Sequence, residues 1–588
     1  RPGVEVAKKQ ALAAAAEAFP EASSCEEALA ALCRAAGASG AGPSAALAAA
    51  FEWLLRAGLP QATPAARDRL LRAGALVTEG FSEQPERLAQ IQELLEAFFA
   101  EQQQRGKSSA QELEVNGLVD AVLLGAVGRH LEAAGPKHAA IRLRLTRRLL
   151  KPTTPETVQR ALAESLVPLL QQEPGALPEV SANFLEALGA GQEPVRRAGA
   201  LGVAAAVQAA GGASAMRKLS IMDRVKEALA VEGKAGAGRR QGGLLCLEAL
   251  AARLGRSFEP YAHAAMPLLL ASCSDPAREV QLAGRAAAQA VAAQASGSGV
   301  RLLVGPLLDG LRDGRWRTQL SAVELLQPMV AELAASAPRR LAAVLPRAVP
   351  LLCEAAASSR VELREAARAL LGRLGAEVGH PDVAPLAPAL VAALAEPAEA
   401  HLTRALDALL AAVYTTALDG PSCALICPVL GRALARGDAE ARRKAASFAR
   451  ALARIAGDAE DLAPYLEALR PHLQALLADT TPDIREAAAQ ALGALAAVES
   501  NASAEEAGGA AAGRADVAAE LLGRLAERQD GAELEGLAQG FAAAAASVAE
   551  ARREELLREL LRPDAPPQAR LGCLAALAHL PAALAQVP

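Results

Sequence analysis

Along this chain, apolar positions recur at helical spacing and are interrupted by short polar turns. One stretch shows the pattern in full. From Tyr261 to Ser272 the apolar residues, Leu268, Leu269 and Leu270 among them, predict a helix. Pro267 inside it removes one backbone hydrogen bond and bends it. Ser274-Asp275-Pro276 then reads as a turn that supplies an N-cap and a proline for the first helical position. A second helix is predicted from Ala277 to about Gln294, because Val280, Ala283, Ala287, Ala290 and Val291 share one face, and Ser296-Gly297-Ser298-Gly299 ends it.

The same order returns. Pro267, Pro306, Pro350, Pro388, Pro428 and Pro471 each open a similar apolar phrase. Their steps of about 40 residues mark a repeat architecture. Second helices open on Val195-Arg196-Arg197-Ala198, Leu363-Arg364-Glu365-Ala366, Arg442-Arg443-Lys444-Ala445 and Ile484-Arg485-Glu486-Ala487, the last after Asp479-Thr480-Thr481-Pro482. A bent first helix, an Asp/Pro turn and a straight second helix opening on an aliphatic-Arg-x-Ala phrase resemble the HEAT repeat. The predicted fold is all-α, a HEAT-repeat α-solenoid: a superhelix of stacked antiparallel helix pairs. HEAT arginines of this kind commonly bond the turn aspartate of a neighbouring unit, so each one has a structural reading first. Solenoids of this sort are mostly extended binding surfaces, which moves the expectation away from pocket chemistry.

Register weakens before about residue 115. Gly37 to Ser44 and Glu101 to Ser109 read as loops, and Gly233 to Gly243, with Lys234, Arg239 and Arg240, as a flexible turn. Residues 499–516 form a low-complexity insert expected to be flexible. The chain starts without Met and ends within a helical pattern, as a segment of a longer protein would.

Composition narrows the function. Hydrophobic residues make up 52% of the chain but aromatics only 2%, so close alanine contacts must replace large anchors. A net charge of −5, from 61 basic and 66 acidic residues, describes a mixed surface and not a dedicated DNA binder. Eight cysteines show no disulfide framework. Cys423 and Cys427 share a helical face, but no second pair joins them, so reduced thiols of a cytosolic or nuclear protein are expected. No apolar run is long enough to cross a bilayer. Gly106-Lys107-Ser108 ends like a phosphate loop, but Glu101 stands where its first glycine belongs. His130, His138, His263, His380, His401, His472 and His579 are isolated and read as surface or turn residues. No catalytic, cofactor-binding or metal-binding residues are predicted, and no enzymatic activity is expected.

Basic clusters are the better candidates. Arg142, Arg144, Arg147, Arg148 and Lys151 crowd one helix end; Arg217 and Lys218 precede Ile221; Arg315 and Arg317 flank Trp316; Arg442, Arg443 and Lys444 open a second helix. Such groups grip RNA phosphates or an acidic protein face. Scarce aromatics argue against reading single-stranded bases by stacking, so contact with a ribosome through phosphates and protein fits better. Trp316 reads first as a packing anchor between repeats and second as a contact residue.

Several phrases carry a more specific resemblance: Leu247-Glu248-Ala249-Leu250 through Phe258-Glu259-Pro260-Tyr261, Trp316-Arg317-Thr318 with Val323-Glu324-Leu325-Leu326, Ala405-Leu406-Asp407-Ala408-Leu409-Leu410, and Asp461-Leu462-Ala463-Pro464-Tyr465-Leu466. The run from Gly242 to Leu495 resembles the elongation factor 3-like HEAT region of the general control nonderepressible translational activators. Weaker likeness extends to both sides. Gln319 stands where that family usually has lysine after the Trp-Arg-Thr phrase. Repeats and resemblance together divide the chain into N-terminal HEAT-like repeats over 1–241, elongation factor 3-like repeats over 242–498, the flexible low-complexity insert over 499–516, where that family tends to run compactly, and further, truncated HEAT-like repeats over 517–588. It implies a cytoplasmic scaffold that binds ribosomes and an ATP-binding-cassette partner. It also implies activation of a starvation-responsive kinase that phosphorylates initiation factor 2 alpha, with the kinase-docking segment outside this chain. Neither DNA nor membrane is an implied partner. The candidate contacts are Arg217, Lys218, Arg315, Trp316, Arg317, Arg442, Arg443 and Lys444. The alternatives are the HEAT region of an elongation factor 3-type ATPase, which would need cassette motifs, and a nuclear-transport or phosphatase scaffold.

Overall fold

The computed structural model describes residues 10–580 apart from 13, 39–41, 105–108, 134, 337, 397, 457–458, 506–516, 528–530, 549 and 562–566. Among these residues the protein is helical throughout, and its one extended pairing is an isolated bridge between Leu418 and Ala456. The chain divides into two compact units, Arg1–Gly299 and Val300–Pro588.

In each unit alternate helices stack into layers. In the first, Glu193–Ala209 packs on Ala237–Leu254, which packs on Arg278–Ala293. In the second, Ala439–Ile455, Pro482–Glu505 and Gly531–Ser547 stack in the same way. A parallel layer of first helices runs Pro338–Ala356, Gly420–Arg436, Ala459–Leu476, each paired with the second helix that follows it. Leucine and alanine fill the core between layers, with Phe184, Phe258, Phe448 and Phe541 among its largest buried side chains. This is the HEAT α-solenoid arrangement that the period predicts.

The periodic prolines keep their register. Pro267, Pro306, Pro350, Pro428 and Pro471 lie inside first helices. Pro388 differs, since it is the second residue of Ala387–Ala395 and lies in the first turn, where no hydrogen bond is lost.

Several local readings change. The glycine-rich stretch 233–243 is not a flexible turn: from Ala237 it is the first turns of the Ala237–Leu254 helix, with Arg240 and Gln241 buried. Ala277, not a residue of the Ser-Asp-Pro turn, is the N-cap of Arg278–Ala293, while Asp275 accepts from the Ala277 N–H at 2.9 Å. His138 is buried within Pro136–Leu149, its Nδ1 3.3 Å from Glu173, while His380 is a turn residue as expected but a buried one, bonded to Thr416 Oγ1 and the Ala417 carbonyl, both at 3.0 Å. The start of the insert, residues 499–505, continues the Pro482–Glu505 helix, and residues 506–516 lie outside the described residues, as do Gly106, Lys107 and Ser108.

Candidate partner-binding surface

Second helices begin with an arginine that locks their own turn and then reaches into the next repeat. Arg240 donates to the carbonyls of Val231 (2.7 Å) and Gly233 (2.9 Å) and makes a forked pair with Asp275 (2.7 and 2.9 Å). Arg196 holds the carbonyls of Ala190 and Gly191 at 2.8 and 2.9 Å and meets Gln241 Oε1. Arg485 holds those of Asp479 and Thr480 and pairs with Glu535 at 2.9 Å. Arg442 pairs with Asp479, whose other oxygen accepts from the Thr481 N–H at 2.9 Å. Gln319 donates to the Leu311 carbonyl at 3.0 Å, so its amide fastens its own turn.

This framework sorts the candidate contacts. Arg442 is tied to Asp479. Lys444 lies between Asp407 (2.6 Å) and Glu440 (2.7 Å), and its hydrogen bonds to those carboxylates push its pKa up. Arg315 forks onto Asp313 at 3.0 and 2.8 Å, which holds the Asp313 carboxyl below its usual range. Arg217, Lys218 and Arg443 are exposed, without an ion pair among the described residues.

Trp316 starts the Trp316–Ser336 helix and is half-buried, so it is not a fully enclosed anchor. The Arg317 guanidinium lies 4.6 Å from its ring centroid and that of Arg360 lies 5.5 Å away. Both arginines are exposed and have no carboxylate partner among the described residues. Arg360 is the N-cap of Val361–Ala376, the second helix packed against Trp316–Ser336. Sequence reasoning missed it, although a signal was present: Arg360 precedes its second helix as Arg315 precedes the helix that Trp316 opens.

The described thiols are mostly buried. Cys246, Cys353, Cys423 and Cys427 are buried, and burial pushes Cys246 up to about 12 and Cys353 up to about 11. Among the described residues no group of three His, Cys, Asp or Glu side chains could hold a metal ion. The thiolate is the reactive form. Alkylation of the native protein followed by peptide mapping should therefore label the half-buried Cys25 and Cys33 well before Cys246 or Cys427. Equal labelling would show that the helix layers do not exclude the reagent.

Two family profiles match the chain: the EF3 N-terminal HEAT repeat over residues 196–371 and the elongation factor 3/GNC1 HEAT repeat over residues 400–506. The ILITYHIA protein of Arabidopsis thaliana is 33% identical over 397 residues, which cover 66% of this chain and 14% of that protein. The human stalled ribosome sensor GCN1 is 30% identical over 467 residues, or 78% of this chain and 17% of its own. Elongation factor 3 of Gonapodya prolifera is 27% identical over 250 residues, 42% of this chain and 22% of its own. The chain thus spans less than a quarter of the length of each of these relatives.

Proposed function

We propose that this chain, a GCN1-like HEAT region, is a non-enzymatic cytoplasmic scaffold of translational control that docks on ribosomes through the edge formed by Trp316, Arg317 and Arg360. One observation carries the reading: two uncommitted guanidiniums gather on one half-buried indole in a chain whose second-helix arginines are otherwise largely neutralised. Guanidinium is suited to bidentate phosphate recognition, and resting it on the ring reduces the freedom lost when a phosphate arrives. Arg443, Arg217 and Lys218 would add attraction, while Arg315, Arg442 and Lys444 hold the framework. The resemblance also supports an ATP-binding-cassette partner for this region. A kinase-docking segment, and hence promotion of initiation factor 2 alpha phosphorylation, would belong to the full-length protein. The elongation factor 3 reading is weaker, since that likeness reaches 42% of the chain against 78% for the GCN1 relative.

Sedimentation with purified ribosomes across a salt series tests this. The Arg317→Glu/Arg360→Glu variant should bind about tenfold more weakly or worse, and its salt dependence should lose about two phosphate contacts. A variant of unchanged helical content that co-sediments like the parent would rule the edge out. A parent chain that fails to sediment would rule out ribosome docking by this region.

A further inference from the structure

We infer that the first unit carries a second binding surface, a cation-lined groove that docks an acidic amphipathic segment of a partner protein. The groove, of about 870 Å³, lies between the helices Pro85–Gln104 and Pro136–Leu149, over the π-helical turn Asp120–Leu124. Sequence spacing builds it. Lys137, Ala140, Arg144 and Arg147 follow at steps of three and four, so they form one stripe, Lys151 joins the lining just past the helix end, and His138, Leu145 and Leu149 on the other side are buried. At about 1.5 Å per residue the helical part of the stripe, Lys137 to Arg147, is about 15 Å long, enough for a helical segment of about three turns.

The charge in the groove is unbalanced. Arg144 is fixed by Asp120 at 2.7 Å, and Arg148 donates to the Leu113 carbonyl at 3.0 Å. Lys137, Arg147 and Lys151 are exposed and have no partner among the described residues. The two carboxylates of the lining are both engaged: Asp120 by Arg144, and Glu96 by the Gln92 amide at 2.8 Å. The neighbouring groove of about 710 Å³ is different, because its Arg160 and Arg197 are closed on Glu156 and Glu193. Only the first of these two grooves has cations to spare.

The apolar side chains choose between anions. Leu143 is 44% exposed at the groove, and Leu124 and Ile141 lie beneath it. A phosphate chain would use the cations and gain nothing from these. Nor could a base stack on Phe99, because the Arg144 guanidinium covers that ring at 3.8 Å. A protein segment with acidic residues on one face and apolar residues on the other satisfies both features.

Fluorescence anisotropy of the intact chain tests this with three labelled probes: a helical peptide with glutamates on one face and leucines on the other, a scrambled peptide of the same composition, and oligouridylate. The amphipathic peptide should bind saturably and more tightly than the other two. Lys137→Glu/Arg147→Glu/Lys151→Glu should weaken it about tenfold or more, and Leu143→Asp about fivefold. Lys226→Glu, an exposed charge reversal on the separate helix Ile221–Leu229, should leave it unchanged. Equal affinity for the scrambled peptide would reduce the groove to a diffuse field and overturn the inference. Tighter binding of oligouridylate would make it an RNA site instead. Unchanged binding by either groove variant, with native circular dichroism, would also overturn it. The residues tested do not overlap the proposed ribosome edge, so either reading can fail alone.

Discussion

Replacing Arg240 by alanine is expected to cost the first unit about 3–5 kcal/mol, the range for removing one partner of a buried ion pair. The side chain is 8% exposed and serves four acceptors at once, two turn carbonyls and both oxygens of Asp275. Alanine leaves a nearly buried carboxylate without its counter-charge and two carbonyls without donors, and each loss carries a desolvation penalty. Arg240→Lys should recover only part of the loss, since a single ammonium cannot span the fork and both carbonyls. Arg442→Ala should cost less, because Arg442 is 31% exposed and solvent screens more of its charge. Denaturant unfolding followed by far-ultraviolet circular dichroism would report the change as an earlier first transition. A shift equivalent to less than about 1 kcal/mol would mean that the Arg240–Asp275 bridge is open in solution.

That bridge also shows what the sequence makes legible. The helix pairs follow from the proline period and the Arg-x-Ala phrase, because both are local signals that every repeat restates. The arginine–aspartate bond was legible as a class. Its partners are separated by 35 residues at Arg240–Asp275 and by 37 at Arg442–Asp479, the same separation as in the lysine–aspartate pair Lys444–Asp407. Looking for acids one repeat away from each cation would have placed Arg442 and Lys444 in ion pairs and left Arg443 free. Arg360 escaped notice because its place before a second helix marks it only as one more turn arginine, and its contact with the Trp316 ring comes from folding one repeat onto the next. The glycine-rich stretch misled for a different reason. Glycine is a poor helix former, so a run of it reads as a turn when packing is invisible. Packing decides the outcome here.

Gly242→Ala is therefore expected to destabilise the first unit by about 3 kcal/mol, although alanine alone would favour the helix by about 1 kcal/mol. A Cβ at this position would sit 2.0 Å from the Leu188 carbonyl oxygen and 2.8 Å from its carbon. Those are backbone atoms of the residue just past the Leu177–Ala187 helix, and they cannot rotate away. The second unit repeats the device: a Cβ at Gly536, in Gly531–Ser547, would lie 1.9 Å from the carbonyl oxygen of Leu477, the residue just past Ala459–Leu476. In both units the glycine lets a second helix close onto the end of the preceding repeat's first helix, which fixes the spacing between repeats. Gly372→Ala is the matched control, a helical glycine with nothing within 4 Å of the added carbon. It should stabilise by about 0.5–1 kcal/mol, so the two substitutions should differ in sign. If Gly242→Ala instead raised the unfolding midpoint as Gly372→Ala does, the repeats would not stack as closely as Leu188 requires. The glycines of residues 233–243 would then revert to the flexible turn that their composition suggests.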